Sequence, residues 1–306
     1  MSREPRSTPP SVDAEGAVTP SPPRIVVGDG PVLVTGAAGL IGGWLRSGLP
    51  ARGWTLRGLD VVPLADAAPG EEHLVADVTD LTAMTDAAAG ASAVVHLAGI
   101  AHEATWPAIS TANIEGTYCA LEAARRAGVQ RVVLASSNHA TGFTPRPATG
   151  LLTEADAPHR PDTYYGVAKA TMEALGSLYV DRYGLDVVCL RIGSALPEPR
   201  AVRHLSTWLS PADGVRLVDA ALRAPSPGFS VVWGVSANTR GWWDLTAARA
   251  LGYDPADDAE SWADALVAAQ GEPDLTDPVH GRVGGEYTTS EMDAAASGSA
   301  EDEEQR

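Results

Sequence analysis

Short apolar runs alternate with helical stretches along the first two thirds of the chain. Six runs have the length and composition of buried strands: 32–34, 56–59, 74–75, 93–97, 131–135 and 186–190. The stretches 81–89, 114–127 and 168–183 have helical character, the last two with apolar residues at helical spacing. Strands that alternate with helices are typical of a parallel sheet covered on both faces. We therefore predict an α/β fold with a doubly wound parallel sheet.

The composition of the chain changes at both ends and again after residue 193. Residues 1–29 are rich in Pro, Ser and Thr, and we expect a disordered leader because so few apolar side chains cannot offset the entropy of ordering. The sheet domain is expected at 30–195. Beyond it Pro and Trp become frequent and isolated helices are predicted at 211–224 and 261–270, which indicates a small lobe at 196–289. Residues 290–306 are small or acidic and are expected to form a disordered tail.

A glycine-rich loop connects the first strand to the helix that follows it. The loop reads Thr35-Gly36-Ala37-Ala38-Gly39-Leu40-Ile41-Gly42. Gly36 permits a tight turn, Gly39 lets backbone N–H groups approach a pyrophosphate, and Gly42 lets the helix lie close to the strand. Alone, this spacing also fits an ordinary turn. Its place between a strand and a helix favours a dinucleotide site in a Rossmann-type fold.

The second strand ends in a carboxylate that bears on the choice of dinucleotide. Asp60 follows the glycine loop by roughly 20 residues, where a carboxylate accepts both ribose hydroxyls of an adenosine. The same carboxylate repels a 2′-phosphate, and no Arg or Lys follows it immediately. The sequence therefore predicts NAD rather than NADP. Two cations, Arg46 and Arg57, leave this choice open.

Two side chains in the middle of the chain suit proton transfer. Tyr165 and Lys169 are four residues apart and so share one face of a helix. A neighbouring ammonium stabilises the phenolate, so we expect Lys169 to lower the pKa of Tyr165 and make it a base for an alcohol. The same spacing is common on surface helices. However, the strand at 131–135 ends at Ser136 and Ser137, at the sheet edge where such folds bind ligands.

Length, charge and cysteine content exclude several classes of function. A chain of 306 residues with 44% hydrophobic residues buries a large core. Its net charge of −17 argues against nucleic acid or an anionic membrane as a partner. Cys119 and Cys189 lie in apolar stretches, so neither a disulfide framework nor a metal cluster is indicated. No signal peptide or long apolar span is present, and we expect a cytoplasmic location.

The order of these motifs resembles the extended short-chain dehydrogenase/reductases over about residues 31–200. The matching motifs are the TGxxGxxG loop, Asp60, Asp77-Val78, His96-Leu97-Ala98-Gly99, Asn113, Ser137 and YxxxK. The resemblance implies that Tyr165 is the catalytic acid/base, that Lys169 binds the nicotinamide ribose, that Ser137 orients the reacting oxygen and that Asn113 supports a proton relay. The NAD contacts that it implies are Gly36, Ala38, Gly39, Leu40, Ile41, Gly42, Asp60, Asp77, Val78, Leu97, Ala98, Gly99, Asn113, Tyr165, Lys169 and Ile192.

Further motifs resemble uronate dehydrogenases up to about Tyr287. They are Ser136-Ser137-Asn138-His139, Arg191-Ile192-Gly193-Ser194, Leu205-Ser206-Thr207-Trp208, Ser236-Ala237-Asn238, Gly241-Trp242-Trp243-Asp244 and Leu251-Gly252-Tyr253. In that family NAD oxidises C1 of a cyclic hexuronate, such as glucuronate or galacturonate, to an aldarolactone. The resemblance implies substrate contacts from Ser137, Asn138, His139, Tyr165, Ser194, Arg203 and Tyr287, with Arg203 as the carboxylate anchor. Ala101 stands where the family often has a serine.

Two other functions remain open at this level. An epimerase or dehydratase of nucleotide sugars shares the fold, NAD, Ser137 and the YxxxK pair, but needs a larger lobe than the roughly 95 residues after Gly193. A regulator that binds NAD without turnover would have no need of Tyr165, Lys169 and Ser137. The helix at 168–183 is a candidate interface for a homo-oligomer, although the same pattern fits a helix that simply packs on its own sheet. No metal is expected.

Overall fold

The computed structural model describes residues 30–64, 67 and 71–290. Its main feature is a parallel sheet with the strand order β3-β2-β1-β4-β5-β6-β9. The nine strands of the described residues are β1 Val32–Thr35, β2 Leu56–Asp60, β3 Glu72–Val75, β4 Ala93–His96, β5 Arg131–Leu134, β6 Asp186–Ile192, β7 Ser194–Ala195, β8 Trp208–Leu209 and β9 Phe229–Gly234. All six predicted strands are confirmed. The predicted leader and nearly all of the predicted tail lie outside the described residues.

The central strands are apolar along their whole length because the sheet is covered on both faces. β1, β4, β5 and β6 are buried at every position, which explains their continuous runs of Val and Leu rather than an alternating pattern. The α-helices of the described residues are α1 Leu40–Gly48, α2 Leu81–Ala88, α3 Trp106–Ile109, α4 Gly116–Ala127, α5 Tyr164–Tyr183, α6 His204–Thr207, α7 Pro211–Arg223, α8 Thr246–Ala250, α9 Ala263–Gln270 and α10 Pro278–Gly281. A π-helical segment, Ser110–Glu115, lies between α3 and α4.

Two apolar clusters form the core, one on each face of the sheet. The first contains Leu45 of α1 and Leu217 of α7 against β1, β4 and β6. The second contains Met84 of α2, Leu121 of α4 and Met172 of α5 against the opposite face. The predicted crossover helices are therefore present, and each contributes an apolar face to the core.

Two elements of the predicted lobe at 196–289 pack with the sheet. β9 pairs in parallel with β6, and α7 lies against α1 and β5. The rest of that region holds β8, which pairs with β7 just before the region begins, and an apolar cluster around Trp208. The division of the chain at residue 195 stays a prediction. No helix of the described residues is long and apolar enough to cross a membrane.

Candidate active site

A cavity of about 600 Å³ lies at the carboxyl edge of the sheet, where β1 and β4 are neighbours. The strand order reverses direction at this pair, and open α/β sheets bind ligands at such a switch point. The predicted residues that line the cavity are Gly36, Gly39, Leu40, Ile41, Gly42, Asp60, Asp77, Val78, Leu97, Ala98, Gly99, Ser137, Tyr165, Lys169 and Ile192. Further lining residues are Val61, Thr79, Ile100, Ala101, Thr111, Ala112, Ala135, Ser136, Gly193 and Ala195. Most of the predicted cofactor contacts are thus brought together.

The glycine loop forms one wall of the cavity and leaves room for a pyrophosphate. Gly36 has φ +71°, and a Cβ atom on Gly42 would lie 2.3 Å from the Gly36 carbonyl oxygen. Any side chain at Gly42 would therefore push α1 away from the loop. No side chain caps the first N–H groups of α1, whose N-cap is Gly39. These groups and the positive end of the helix are available to an anion, so this wall fits a dinucleotide.

Asp60 lines the cavity at the end of β2 and is tied to the glycine loop. Its Oδ2 accepts the backbone N–H of Ala38 at 2.9 Å, although Ala38 itself does not line the cavity. The two arginines that left the choice of dinucleotide open are paired with other carboxylates. Arg46 bonds both carboxylate oxygens of Glu71, and Arg57 Nε lies 2.8 Å from Glu72. This arrangement supports the prediction of NAD.

The end of β4 is held by buried polar side chains. His96 Nδ1 lies 2.8 Å from Thr35 Oγ1, and burial lowers the pKa of His96 to about 3, with the charge of Lys169 acting in the same direction. His96 is therefore neutral and joins β4 to β1. Asn113 bonds both backbone groups of Ile100, at 2.8 and 2.9 Å, and does not line the cavity. Its side chain shapes the loop after Gly99, and its role in a relay stays a prediction.

Tyr165, Lys169 and Ser137 line the cavity together. Thr163 caps α5 by accepting the N–H of Gly166, which places Tyr165 in the first turn of the helix and Lys169 one turn later. Lys169 Nζ lies 5.4 Å from the centre of the Tyr165 ring and donates to the Ala135 carbonyl at 2.6 Å. Ser137 lines the same cavity and lies close enough to Tyr165 to lower the pKa of its phenol. The three side chains predicted for catalysis are therefore adjacent.

The expected effect of Lys169 on Tyr165 is not found in the free protein. Burial raises the pKa of Tyr165 to about 12, and the neighbouring Ser137 hydroxyl only partly opposes this rise. Burial also lowers the pKa of Lys169 to about 8. The prediction of a lowered pKa for Tyr165 was wrong for this state because desolvation of the phenolate outweighs its favourable interactions.

The predicted substrate residues beyond Ser137 and Tyr165 lie beside the cavity rather than in its wall. The His139 ring stacks on Tyr287 with centroids 4.2 Å apart and contacts the edge of Tyr165 at 5.6 Å. Asn138 Nδ2 donates to the Val283 carbonyl at 2.8 Å. Ser194 hydrogen-bonds with the Thr207 hydroxyl at 2.8 Å, and both of its chain neighbours line the cavity.

Arg203 reaches the same region but is already bonded to backbone oxygens. Its guanidinium donates to the carbonyls of Val279 and Arg282, at 2.8 and 3.1 Å, and to that of Val283. Burial lowers the pKa of Arg203 to about 10. Because Asn138 donates to the same Val283 carbonyl, Arg203 lies close to the predicted sugar-binding residues, and it also holds the segment that carries Tyr287.

Two acidic residues at this site were missed by the sequence analysis. Glu103 accepts the backbone N–H groups of Tyr164 and Tyr165, at 3.3 and 2.9 Å, and so fixes the start of α5. Asp162 accepts from His139 Nδ1 at 2.7 Å. Asp162 lies three residues before Tyr165, and this was the one feature of the sequence that could have identified it. Glu103 is remote in sequence from the helix that it caps. In the described ranges no cluster of His, Cys, Asp and Glu is arranged to hold a metal ion.

Comparison with known proteins places these features in a family. The NAD dependent epimerase/dehydratase family matches residues 32–226. A uronate dehydrogenase of Pseudomonas putida is 40% identical over 260 residues, which are 85% of this chain and 96% of that protein. The crystal structure of a uronate dehydrogenase from Agrobacterium tumefaciens superposes with a TM-score of 0.79 at 41% identity, covering 86% of this chain and 98% of that one. A mutant of the Agrobacterium tumefaciens enzyme has been solved in complex with NAD.

Proposed function

This chain belongs to the uronate dehydrogenases of the NAD-dependent epimerase/dehydratase family, and we propose that it oxidises C1 of a cyclic hexuronate to the aldarolactone with formation of NADH. The observation that carries this proposal is that Tyr165, Lys169 and Ser137 line the same cavity as the glycine loop and Asp60. This arrangement supports a reaction in which Tyr165 accepts a proton while NAD bound in the same cavity accepts a hydride.

Each residue of the site has a role in this proposal. The loop from Gly36 to Gly42 binds the pyrophosphate, and Asp60 binds the adenosine ribose. Bound NAD+ supplies the nicotinamide ring that accepts the hydride from C1 of the sugar. Lys169 binds the nicotinamide ribose, and its donation to the Ala135 carbonyl holds the ammonium in place for that contact.

Tyr165 acts as the base for the anomeric hydroxyl. As the C1–H bond breaks and its electron pair leaves as hydride, the phenolate takes the hydroxyl proton and the C1–O bond becomes a carbonyl. Ser137 donates a hydrogen bond to the reacting oxygen and keeps it near Tyr165. Asn113 shapes the loop next to the cavity and supports the relay that returns the proton to water.

The sugar itself is bound by the residues beside the cavity. Asn138, His139 and Ser194 contact its hydroxyls, Tyr287 forms an aromatic wall, and Arg203 binds its carboxylate. A guanidinium suits this last role because its donors match the two carboxylate oxygens. For Arg203 to bind the carboxylate, at least one of its donors must turn from a backbone carbonyl to the substrate.

The test is absorbance at 340 nm with purified protein, NAD and, in separate cuvettes, glucuronate, galacturonate and glucose. NADH formation with a uronate and none with glucose supports both the reaction and the need for a carboxylate. Flat traces for both uronates, with NAD still bound, would contradict the proposed function and favour a nucleotide-sugar enzyme or a regulator.

We also propose a homo-oligomer in the cytoplasm. Tyr118 on α4 and Leu178 and Tyr183 on α5 are exposed large apolar side chains on neighbouring helices, which suit contact with a second copy. Cys119 and Cys189 are free thiols, as a reducing compartment requires. Light scattering in line with gel filtration tests the first point, since a mass near 32 kDa would contradict an oligomer.

A further inference from the structure

Asp162 is a buried carboxylate in an unusual setting beside Tyr165. Its side chain has no exposure to solvent. Within the described part of the chain its hydrogen bonds come from His139 Nδ1 at 2.7 Å and from the Thr163 hydroxyl at 3.0 Å. Burying a charged group is costly unless it is paired and hydrogen-bonded. Asp162 therefore depends on these two contacts, and the one with His139 links it to the proposed sugar-binding residues.

Three glycines from separate parts of the chain make room for this carboxylate. A Cβ atom would lie 1.9 Å from Asp162 Oδ2 if added to Gly142 and 1.8 Å from it if added to Gly284. A Cβ atom on Gly166 would lie 2.9 Å from Oδ1. Since alanine at the first two positions would overlap the carboxylate, the backbone around Asp162 is shaped to hold it against His139.

The contact with Asp162 determines which nitrogen of His139 carries a proton. An ionised carboxylate only accepts hydrogen bonds, so Nδ1 of His139 is the donor. Nε2 has no hydrogen-bond partner among the described residues, and 16% of the His139 side chain is exposed. The ring is held between Tyr287 and the edge of Tyr165. His139 therefore has a fixed orientation beside the Tyr165 ring, and its Nε2 is available to a ligand.

We propose that Asp162 is a positioning residue that keeps His139 protonated at Nδ1, so that Nε2 accepts a hydrogen bond from a sugar hydroxyl next to the one that reacts. This inference rests on the proposed function. The amide of Asp162→Asn has the same shape, but its NH₂ group can donate to Nδ1. That contact would move the proton to Nε2 and turn an acceptor into a donor that faces the hydroxyl.

The first experiment measures the tautomer without substrate. Long-range ¹H–¹⁵N correlation of ¹⁵N-histidine-labelled protein, with His139 identified from the spectrum of His139→Asn, is expected to show a protonated Nδ1 and an unprotonated Nε2. The reverse tautomer would overturn the proposal. Because this measurement needs no turnover, it stays informative even if no uronate is oxidised, whereas failure of the proposed function appears in the wild-type rate.

The second experiment is a double-mutant cycle on the rate of NADH formation. Loss or inversion of this hydrogen bond is expected to lower kcat/KM for the uronate about 10- to 100-fold in Asp162→Asn and in His139→Ala. The double variant should be within about threefold of His139→Ala, since Asp162 acts through that ring. The Kd for NAD should stay within about twofold in all three variants.

One control variant and two possible outcomes test this role. Asp156 is an exposed carboxylate on the same stretch of chain, bonded to Thr153, and Asp156→Asn should keep the wild-type kcat/KM. Multiplicative losses in the double variant would overturn the proposal and indicate that Asp162 acts apart from His139. Wild-type kcat/KM in a folded Asp162→Asn would overturn it as well.

Discussion

Lys169 is the one lysine in this chain, which has 21 arginines. It is buried, and burial lowers its pKa from 10.5 to about 8. A depression of this size means that the charged form costs about 3 kcal/mol in the folded protein relative to water. Lys169→Met removes the charge and keeps the length of the side chain, so it is expected to remove this cost.

One hydrogen bond is lost in the same substitution. The ammonium donates to the Ala135 carbonyl at 2.6 Å, and leaving that buried oxygen without a donor costs about 1–2 kcal/mol. The expected net effect at pH 7 is a gain of about 1–2 kcal/mol in the free energy of unfolding. For a domain of this size the melting temperature should rise by about 3–6 °C. The variant should also lose turnover, so that stability and activity change in opposite directions.

The gain in the free energy of unfolding from Lys169→Met should become smaller as the pH rises. The pKa of Lys169 in the folded protein is about 8, lower than in the unfolded chain. Below pH 8 the lysine is charged in both states, and its destabilising effect on the folded protein is then at its full size. Between that value and the unfolded value of about 10.5 the unfolded chain holds more protons, so the stability of the wild type rises. The advantage of Lys169→Met should therefore shrink from pH 8 upwards and vanish by about pH 10.

The assay is urea unfolding of both proteins without NAD at pH 7, 8.5 and 10. Arg182→Met is the matched control because Arg182 is an exposed cation on the same helix; it should change stability by less than about 0.5 kcal/mol at every pH. A single ¹⁵N-lysine resonance allows the pKa of Lys169 to be measured directly. A less stable Lys169→Met at pH 7, or a difference that does not vary with pH, would refute the reasoning.

Three further predictions concern turnover. Asp60→Asn should raise the KM for NAD about 10- to 100-fold without permitting NADP, because Arg46 and Arg57 are paired elsewhere; rapid reduction of NADP in the 340 nm assay would contradict this. Tyr165→Phe should lower kcat at least about 1000-fold with the Kd for NAD unchanged by calorimetry, and activity within tenfold of wild type would disprove its role as the base. Arg203→Ala should lower kcat/KM for the uronate by more than about 100-fold and also lower the melting temperature, because three hydrogen bonds to backbone carbonyls are lost; an equal loss of NAD affinity would refute the assignment.

Local patterns were sufficient to predict most of the architecture. Buried parallel strands are continuous apolar runs and their crossover helices have apolar faces at helical spacing, so both could be found without knowledge of their partners. The glycine loop and the pair of Tyr165 and Lys169 are equally local. Turn geometry and the helical repeat place each of these groups within a few residues of sequence.

The long-range pairings could not be predicted in this way. β9 joins the sheet from a region with lobe-like composition, because the exposed edge of β6 needs a partner that sequence periodicity does not identify. The same is true of Glu103 at the start of α5 and of the carboxylates that hold Arg46 and Arg57. In each case a charged side chain meets a group that is distant in sequence.

By itself, then, the sequence determined the sheet and the dinucleotide loop and pointed to the side chains proposed to react, since these depend on short-range backbone geometry and apolar periodicity. The tertiary structure alone decided the electrostatics of the site. The pKa of Tyr165 and that of Lys169 are set by how much protein surrounds them, and Asp162 meets His139 in a space formed by glycines from three segments. Desolvation and close contact depend on every atom within a few ångströms, and only the folded chain brings those atoms together.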